Sequence, residues 1–398
     1  MRNCPQKYRN LDKSLEMQEA FALGLWTAAV AVIRARRQVH ASPTARVLVT
    51  SAAGTTRADF GCCTVQQLLD SDSGAMVSPS RGTWGEHVAV LLEEDLPSSA
   101  CAMTRIRLRL CPPNRDGELP AGAVLLSHAA ADDSTLSLGC PARWSAPPSE
   151  PREIRIGAVV IPTDALGRVL LTRRAAHMRS FPCAWVFPGG GVDAGESVAD
   201  AAVRELCEET GLHACGGAAG LQIVGLWESC FPTGRMLTSK GTTEEGAFAI
   251  RGQVRTGWAV DASELAQLPP QPANSPAASL LASSCLQYLV VYYAAQVSNA
   301  DELRLQDEEA DAAVWLLPEA ARNVTSVGST AVGSTVELAT ASGCELGRRS
   351  ERASVSLDEL HGIYPNPHQQ GIAQGHLFAL DLLVRGAQRL CCSREAKL

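Results

Sequence analysis

The chain has 398 residues, a formal net charge of -7 and 14 cysteines. That length exceeds one typical domain of roughly 100–200 residues, so one domain with long additions and two separate domains both fit it. The negative balance excludes a global attraction to nucleic acid or anionic membrane, so a phosphate-bearing substrate has to be held by a local site. The cysteines are scattered without a CxxC spacing for zinc or a thioredoxin-type couple, and they read as reduced thiols of an intracellular protein.

In chain order, the first apolar run, Phe21 to Ile33, is shorter than the roughly 20 residues needed to cross a bilayer. Asp12, Glu16 and Glu19 before it are wrong for a signal or transit peptide, so a buried helix is expected there. Residues 1–150 otherwise mix short apolar runs, such as Val88 to Leu92 and Ala123 to Leu126, with Pro, Ser and Gly breaks. This is the pattern of short strands and loops, an N-terminal β-rich extension without a readable site. The X-Pro steps from Ala146 to Pro151 resist helix and read as a linker.

Beyond the linker the texture changes. Ile154 to Ile161 is a buried-strand candidate, Asp164 to Gly167 a turn and Arg168 to Thr172 the returning strand of a hairpin. A helix is expected over Ser197 to Thr210, followed by strands at Leu221 to Leu226 and Tyr288 to Ala294. Residues 232–284 are rich in Gly, Thr, Pro, Ala and Ser and read as an inserted, partly disordered loop, and Val324 to Ser356 has the same character. Leu377, Leu380, Leu383 and Val384 recur at helical spacing, which predicts a docking helix over 375–390. The expected organisation is an N-terminal region over 1–150, a mixed α/β domain over 152–320 carrying the insertion, and a C-terminal extension over 321–398.

The chemistry lies in the helix over Ser197 to Thr210. Ser197 suits its N-cap, Asp200 its first turn, and Gly211 a left-handed exit. Glu205, Glu208 and Glu209 stand at i, i+3 and i+4, which puts three carboxylates on one face of the last turn. They repel one another and oppose the helix dipole, each effect costing about 0.3–1 kcal/mol. Three glutamates alone fit a solvated acidic helix end, with Arg204 as a partial partner for Glu208. A hard divalent cation such as Mg²⁺ or Mn²⁺ would reverse the sign of the repulsion. Directly upstream, Phe187-Pro188-Gly189-Gly190-Gly191 lacks the side chains that would keep backbone groups away from a metal or phosphate.

The residues Gly190, Glu196, Arg204, Glu205, Leu206, Glu208, Glu209, Gly211 and Leu212 resemble the Nudix box at every fixed position. The resemblance implies the α/β Nudix fold, a mixed sheet sandwiched between helices, and a diphosphate-cleaving hydrolase that uses Mg²⁺ or Mn²⁺. It implies Glu205, Glu208, Glu209 and the Gly189 carbonyl as metal ligands. Glu208, Glu209 and Arg204 would form the catalytic set, with Glu196 and Arg204 orienting helix and loop. A general base must also be present, and the candidates are Glu208 or Glu209 in the helix and Glu308 or Glu309 before Trp315.

The flanks bear on the substrate. Leu170 to Ala175, Trp185, Gly225 to Ser229 and Trp315-Leu316 resemble the nucleoside-diphosphate-linked moiety X motif 17 type of the same family. That resemblance implies a capped RNA end or a nucleotide-type small molecule such as NADH as partner; the short apolar run and the negative charge leave no membrane partner expected. The residues Leu170-Leu171-Thr172, Arg174, Arg179 and Phe187 to Gly190 also resemble the signature of coenzyme A diphosphatases, which departs at Ala175, in place of a hydroxyl residue, and at Cys183, in place of glycine. A Nudix-fold binding module without catalysis is the reading from a different class. Arg173, Arg174 and Arg179 are candidate phosphate ligands, with Glu309 a further substrate-side candidate. Ala396-Lys397-Leu398 resembles the small-basic-Leu peroxisomal address, so a peroxisomal location is expected, and otherwise a cytoplasmic one.

Overall fold

The computed structural model describes residues 45–395 except 53, 61, 72–79, 83–84, 96–98, 100–103, 112–118, 129–152, 179, 233–234, 238–242, 246, 251–252, 257–284, 326–334, 341–351, 362 and 365–370. The helix expected at Phe21 to Ile33, the linker, Arg179 and the terminal tripeptide lie outside the described residues. Residues 44–398 form one compact unit.

The N-terminal strands are β1 (Ala45–Ser51), β2 (Gly54–Arg57), β3 (Ser80–Gly82), β4 (Gly85–Asp95), β5 (Thr104–Leu110) and β6 (Ala123–His128), with helix α1 (Thr64–Ser71) between β2 and β3. The expected β-rich extension is therefore present. Strand β5 alternates buried and more open residues, sending Ile106 and Leu108 inward and its arginines outward, as one buried face requires.

Next come β7 (Arg155–Thr163), β8 (Val169–Arg174), β9 (Trp185–Val186), β10 (Gly189–Gly191), helix α2 (Val198–Thr210) and β11 (Gln222–Pro232). The described part of the insertion contains two short hairpins, β12 (Arg235–Leu237) with β13 (Thr243–Glu245) and β14 (Ala247–Ile250) with β15 (Gln253–Thr256). The remaining elements are β16 (Cys285–Gln296), β17 (Ala310–Leu316), α3 (Pro318–Thr325), β18 (Thr335–Thr340), β19 (Arg352–Ser356), α4 (Leu357–Leu360) and α5 (Gln374–Glu395). Strands β18 and β19 form within Val324 to Ser356, where composition predicted a loop; pairing to β17 supplies the backbone partners that a polar sequence does not advertise.

The main sheet runs β19-β18-β17-β8-β7-β16-β11-β6-β4-β5-β1-β2. Strand β7 is parallel to β16, and β11 is antiparallel to β16 but parallel to β6, so the sheet is mixed and the N-terminal strands continue it without a break. Alternate residues of β7 serve two layers. Ala158 and Val160 pack with Ala201, Ala202 and Leu206 of α2, whereas Val159 and Ile161 pack with Leu377 and Leu380 of α5. The sheet thus lies between helices, as the Nudix resemblance implies, and a strand buried on both faces explains the unbroken apolar run.

The expected hairpin closes only at its turn, where Thr163 pairs with Val169 and Gly167 takes φ 73. Its arms then part. Strand β10 pairs with β7 and β9 with β8, so the glycine segment before α2 is laid into the middle of the sheet.

Candidate active site

Helix α2 forms where its caps predict. Ser197 Oγ accepts the Asp200 N–H at 3.0 Å, and Gly211 exits at φ 69 with its N–H on the Cys207 carbonyl. Its buried stripe contains Val198, Ala201, Ala202, Glu205, Leu206, Glu209 and Thr210. Two glutamates therefore occupy positions of the inward face, at the i, i+3, i+4 spacing that apolar residues otherwise fill.

Arg204 organises the acidic end. It donates to Glu205 Oε1 at 2.8 Å, Glu208 Oε2 at 3.2 Å, Glu196 Oε1 at 2.7 Å and the Gly191 carbonyl at 3.0 Å. Burial works against its charge, but Glu196 and Glu205 outweigh it and hold the guanidinium proton more firmly than usual. Glu196 also accepts the Asp193 N–H at 2.6 Å, so one arginine and one glutamate tie the glycine segment, the following loop and the helix together. Gly190 admits this arrangement because a Cβ there would stand 2.5 Å from Glu205 Oε1.

Glu209 points the other way, into a cavity of about 300 Å³ that also exposes Arg174 and the residues Gly189 to Gly191. It accepts the Gly189 N–H at 3.3 Å. Burial, then Glu309 and Glu205, push its carboxyl well above the usual carboxylate range, with Arg174 opposing them. Glu309 arrives because the chain before β17 is stitched to the helix end and to β8. The Gln306 N–H donates to the Glu209 carbonyl at 3.0 Å, and the Ala175 N–H to the Glu309 carbonyl at 2.9 Å. Of the downstream pair, Glu309 meets Glu209, while the side chain of Glu308 is exposed.

The arginines separate by strand alternation. Arg174 lines the cavity and donates to the Ser180 carbonyl at 2.9 Å; burial lowers its pKa while Glu209 and Glu309 oppose that shift. Arg173, next to it in β8, donates to Asp311 at 2.7 Å and lies over Trp185. Arg173 is not among the residues that line this cavity, as expected for adjacent residues of a strand, which face opposite sides of a sheet.

The donors fit a hard divalent ion, the group a Nudix domain implies: all are oxygens, and the buried Glu209 has two carboxylate neighbours and a single opposing cation in Arg174. As the side chains lie, no three carboxylate, imidazole or thiol groups among the described residues are grouped to hold an ion. Arg204 occupies Glu205 and Glu208, so the expected set of Glu205, Glu208, Glu209 and Gly189 is assembled at one helix end but not in one ligand shell.

Much of the cavity was not foreseen. Tyr288, Val290 and Tyr292 from β16 and Trp227 and Ser229 from β11 line it at the two-residue spacing of a strand face, the one signal that the sequence offered. Ala373 to His376 close it from the start of α5, which periodicity marked only as a docking helix. Phe181 and Cys183 take φ 51 and 62 in the loop that brings Phe181 to the cavity. The second is the position where the coenzyme A diphosphatase signature carries glycine, the residue this conformation favours.

Residues 153–248 match the NUDIX domain model. An 81-residue stretch is 46% identical to the "m7GpppN-mRNA hydrolase NUDT17" of Danio rerio, covering 20% of this chain and 27% of that protein. The Homo sapiens protein of the same name is 43% identical over 81 residues, covering 20% and 25%. The "RNA pyrophosphohydrolase" of Caulobacter vibrioides (strain NA1000 / CB15N) is 51% identical over 57 residues, 14% of this chain and 31% of that protein. The chain thus spans about a quarter to a third of the length of these relatives. Among solved structures, the MutT/nudix family protein from Enterococcus faecalis is 14% identical with a TM-score of 0.28, covering 61% of this chain and 64% of that one. With the box assembled around Arg204, its helix packed on a mixed sheet and the domain model matched, residues 153–248 of this chain are a Nudix domain.

Proposed function

We propose that the chain is a divalent-metal-dependent pyrophosphohydrolase that cleaves the diphosphate bond of a nucleoside-diphosphate-linked substrate, a capped RNA end or a dinucleotide such as NADH. The observation that carries this reading is the buried Glu209 carboxylate, facing Glu309 inside a cavity that also exposes the Arg174 guanidinium. A structural helix gains nothing from a carboxylate whose charge is disfavoured by burial and by two like neighbours, whereas a cation site requires one. Glu205, Glu208, Glu209 and the Gly189 carbonyl would hold Mg²⁺ or Mn²⁺, with Glu208 exchanging Arg204 for the ion. When bound, such an ion supplies charge neutralisation on the diphosphate and acidifies water for attack on phosphorus.

The chain's own groups divide the remaining work. Arg174 binds the diphosphate oxygens, and its hold on the Ser180 carbonyl fixes its direction. Glu309 accepts the proton of the attacking water, a role supported by its hydrogen bond to Glu209. The capped-RNA reading is supported by the likeness to proteins called m7GpppN-mRNA hydrolases, over about a quarter of their length. A panel of methylguanosine-capped RNA, NADH and coenzyme A, each with and without Mg²⁺ or Mn²⁺, tests it by release of nucleoside monophosphate or diphosphate. Glu209→Gln is expected to lose about 10²–10³-fold in rate. Full activity in that variant sinks the metal site, and binding without release in the wild type favours a binding module.

A further inference from the structure

The start of α5 lies outside the residues that match the domain model, yet it closes the cavity. Gly375 makes this approach possible. A Cβ there would stand 2.7 Å from Trp227 Cδ1 and 2.8 Å from the Tyr292 hydroxyl, so only glycine lets the first turn of the helix settle against them. His376 follows directly and enters the cavity lining.

The orientation of His376 is defined on one side. Its Nδ1 accepts the Phe187 N–H at 2.9 Å, so the neutral ring carries its proton on Nε2. Burial, with Arg174 adding to it, pushes the imidazole down to about 3, and the ring is neutral at ordinary pH. The rings of Phe187, at 5.7 Å, and Tyr292, edge-on at 5.3 Å, hold it in position. Neither His376 Nε2 nor the Tyr292 hydroxyl has a hydrogen-bond partner among the described residues, and both residues line the cavity. Two neutral donors that line one cavity without acceptors call for a ligand that brings the acceptors with it.

The chemistry of the walls selects the class of ligand. A diphosphate is served by Arg174, whereas uncharged donors among aromatic and aliphatic side chains suit a flat heterocycle with ring nitrogen or carbonyl acceptors. We propose that His376 Nε2–H and the Tyr292 hydroxyl bind the acceptor edge of a nucleobase, so that the start of α5 selects which nucleotide is processed. The proposal rests on the pyrophosphohydrolase reading for its consequence in turnover, but not for the binding itself.

The test is equilibrium binding to the full chain in metal-free buffer, by titration calorimetry with guanosine and adenosine monophosphates and with inorganic pyrophosphate. His376→Asn keeps an acceptor close to the Nδ1 position for Phe187 and removes the Nε2 donor; Tyr292→Phe removes the hydroxyl alone. The dissociation constant of the better-bound monophosphate is expected to rise about tenfold in each variant, while pyrophosphate binding stays unchanged. Wild-type protein that binds neither monophosphate overturns the proposal. So does a Tyr292→Phe protein with unchanged monophosphate affinity, or a His376→Asn protein that loses pyrophosphate and monophosphate equally. Monophosphate affinity that responds as expected in a protein hydrolysing no member of the substrate panel upholds the subsite and removes only the catalytic reading.

Discussion

A carboxylate on the inward face of a helix is unfavourable unless something stabilises its charge, and Glu209 has two acidic neighbours and one arginine to do so. Its folded-state pKa is raised, so the native metal-free protein binds the extra proton. Stability is therefore expected to fall as pH rises above the ordinary value of 4.5, until the raised folded value is passed. Thermal melts of metal-free protein should show this decline, and Glu209→Gln should flatten it; an identical decline in the variant sinks the assignment to Glu209. His376 works in the opposite sense. Its folded pKa of about 3 lies below the ordinary 6.5, so the unfolded chain binds the proton first and stability is lost as pH falls from 6.5 towards 3. His376→Asn is expected to lose less stability than the wild type over that window in acid melts.

At the scale of elements, α2 is the part most fully legible in the sequence. Its cap, its acidic turn and its glycine exit are short-range signals, set by residues within four positions of one another. Ser197→Ala removes the oxygen on the Asp200 N–H and is expected to cost about 1 kcal/mol. For a unit of this size that corresponds to roughly 1–2 °C in Tm, read by calorimetry. The hairpin was half legible: its turn is local, but the parting of β7 and β8 depends on β9 and β10 entering between them. Strands β18 and β19 were not legible, because their polar composition becomes strand only when β17 offers an edge.

At the scale of the whole molecule, the main sheet of the described residues runs without a break from the N-terminal strands into the Nudix domain, and those strands brace it. Glu94 of β4 accepts the Val198 N–H at 2.8 Å, and the Thr104 hydroxyl donates to the Glu196 carbonyl at 2.5 Å, both at the start of α2. On β11, the side chains of Trp227 and Ser229 line the cavity, while Glu228 between them accepts from the Thr64 N–H, the Thr64 hydroxyl and Gln287. This buried carboxylate thus anchors the N-terminus of α1 to the Nudix strand. Glu228→Ala orphans those donors and is expected to cost on the order of 3 kcal/mol in urea unfolding, with Glu228→Gln milder because it keeps one acceptor. Equal stability in Glu228→Ala and the wild type would show that the brace is dispensable.

By itself the sequence determined the box: its glutamates, its arginine, its glycines and the capped helix that carries most of them, because that chemistry is encoded at fixed short spacing. Only the tertiary structure decided which charges meet. Glu309 and Arg174 join Glu209 through β8 and the chain before β17, whereas Arg173 is turned away by the pleat of the same strand. His376 enters the cavity and holds the amide of Phe187, a residue 189 positions earlier in the chain. Such long-range pairings follow from sheet order and layer packing, which no local pattern in the chain records.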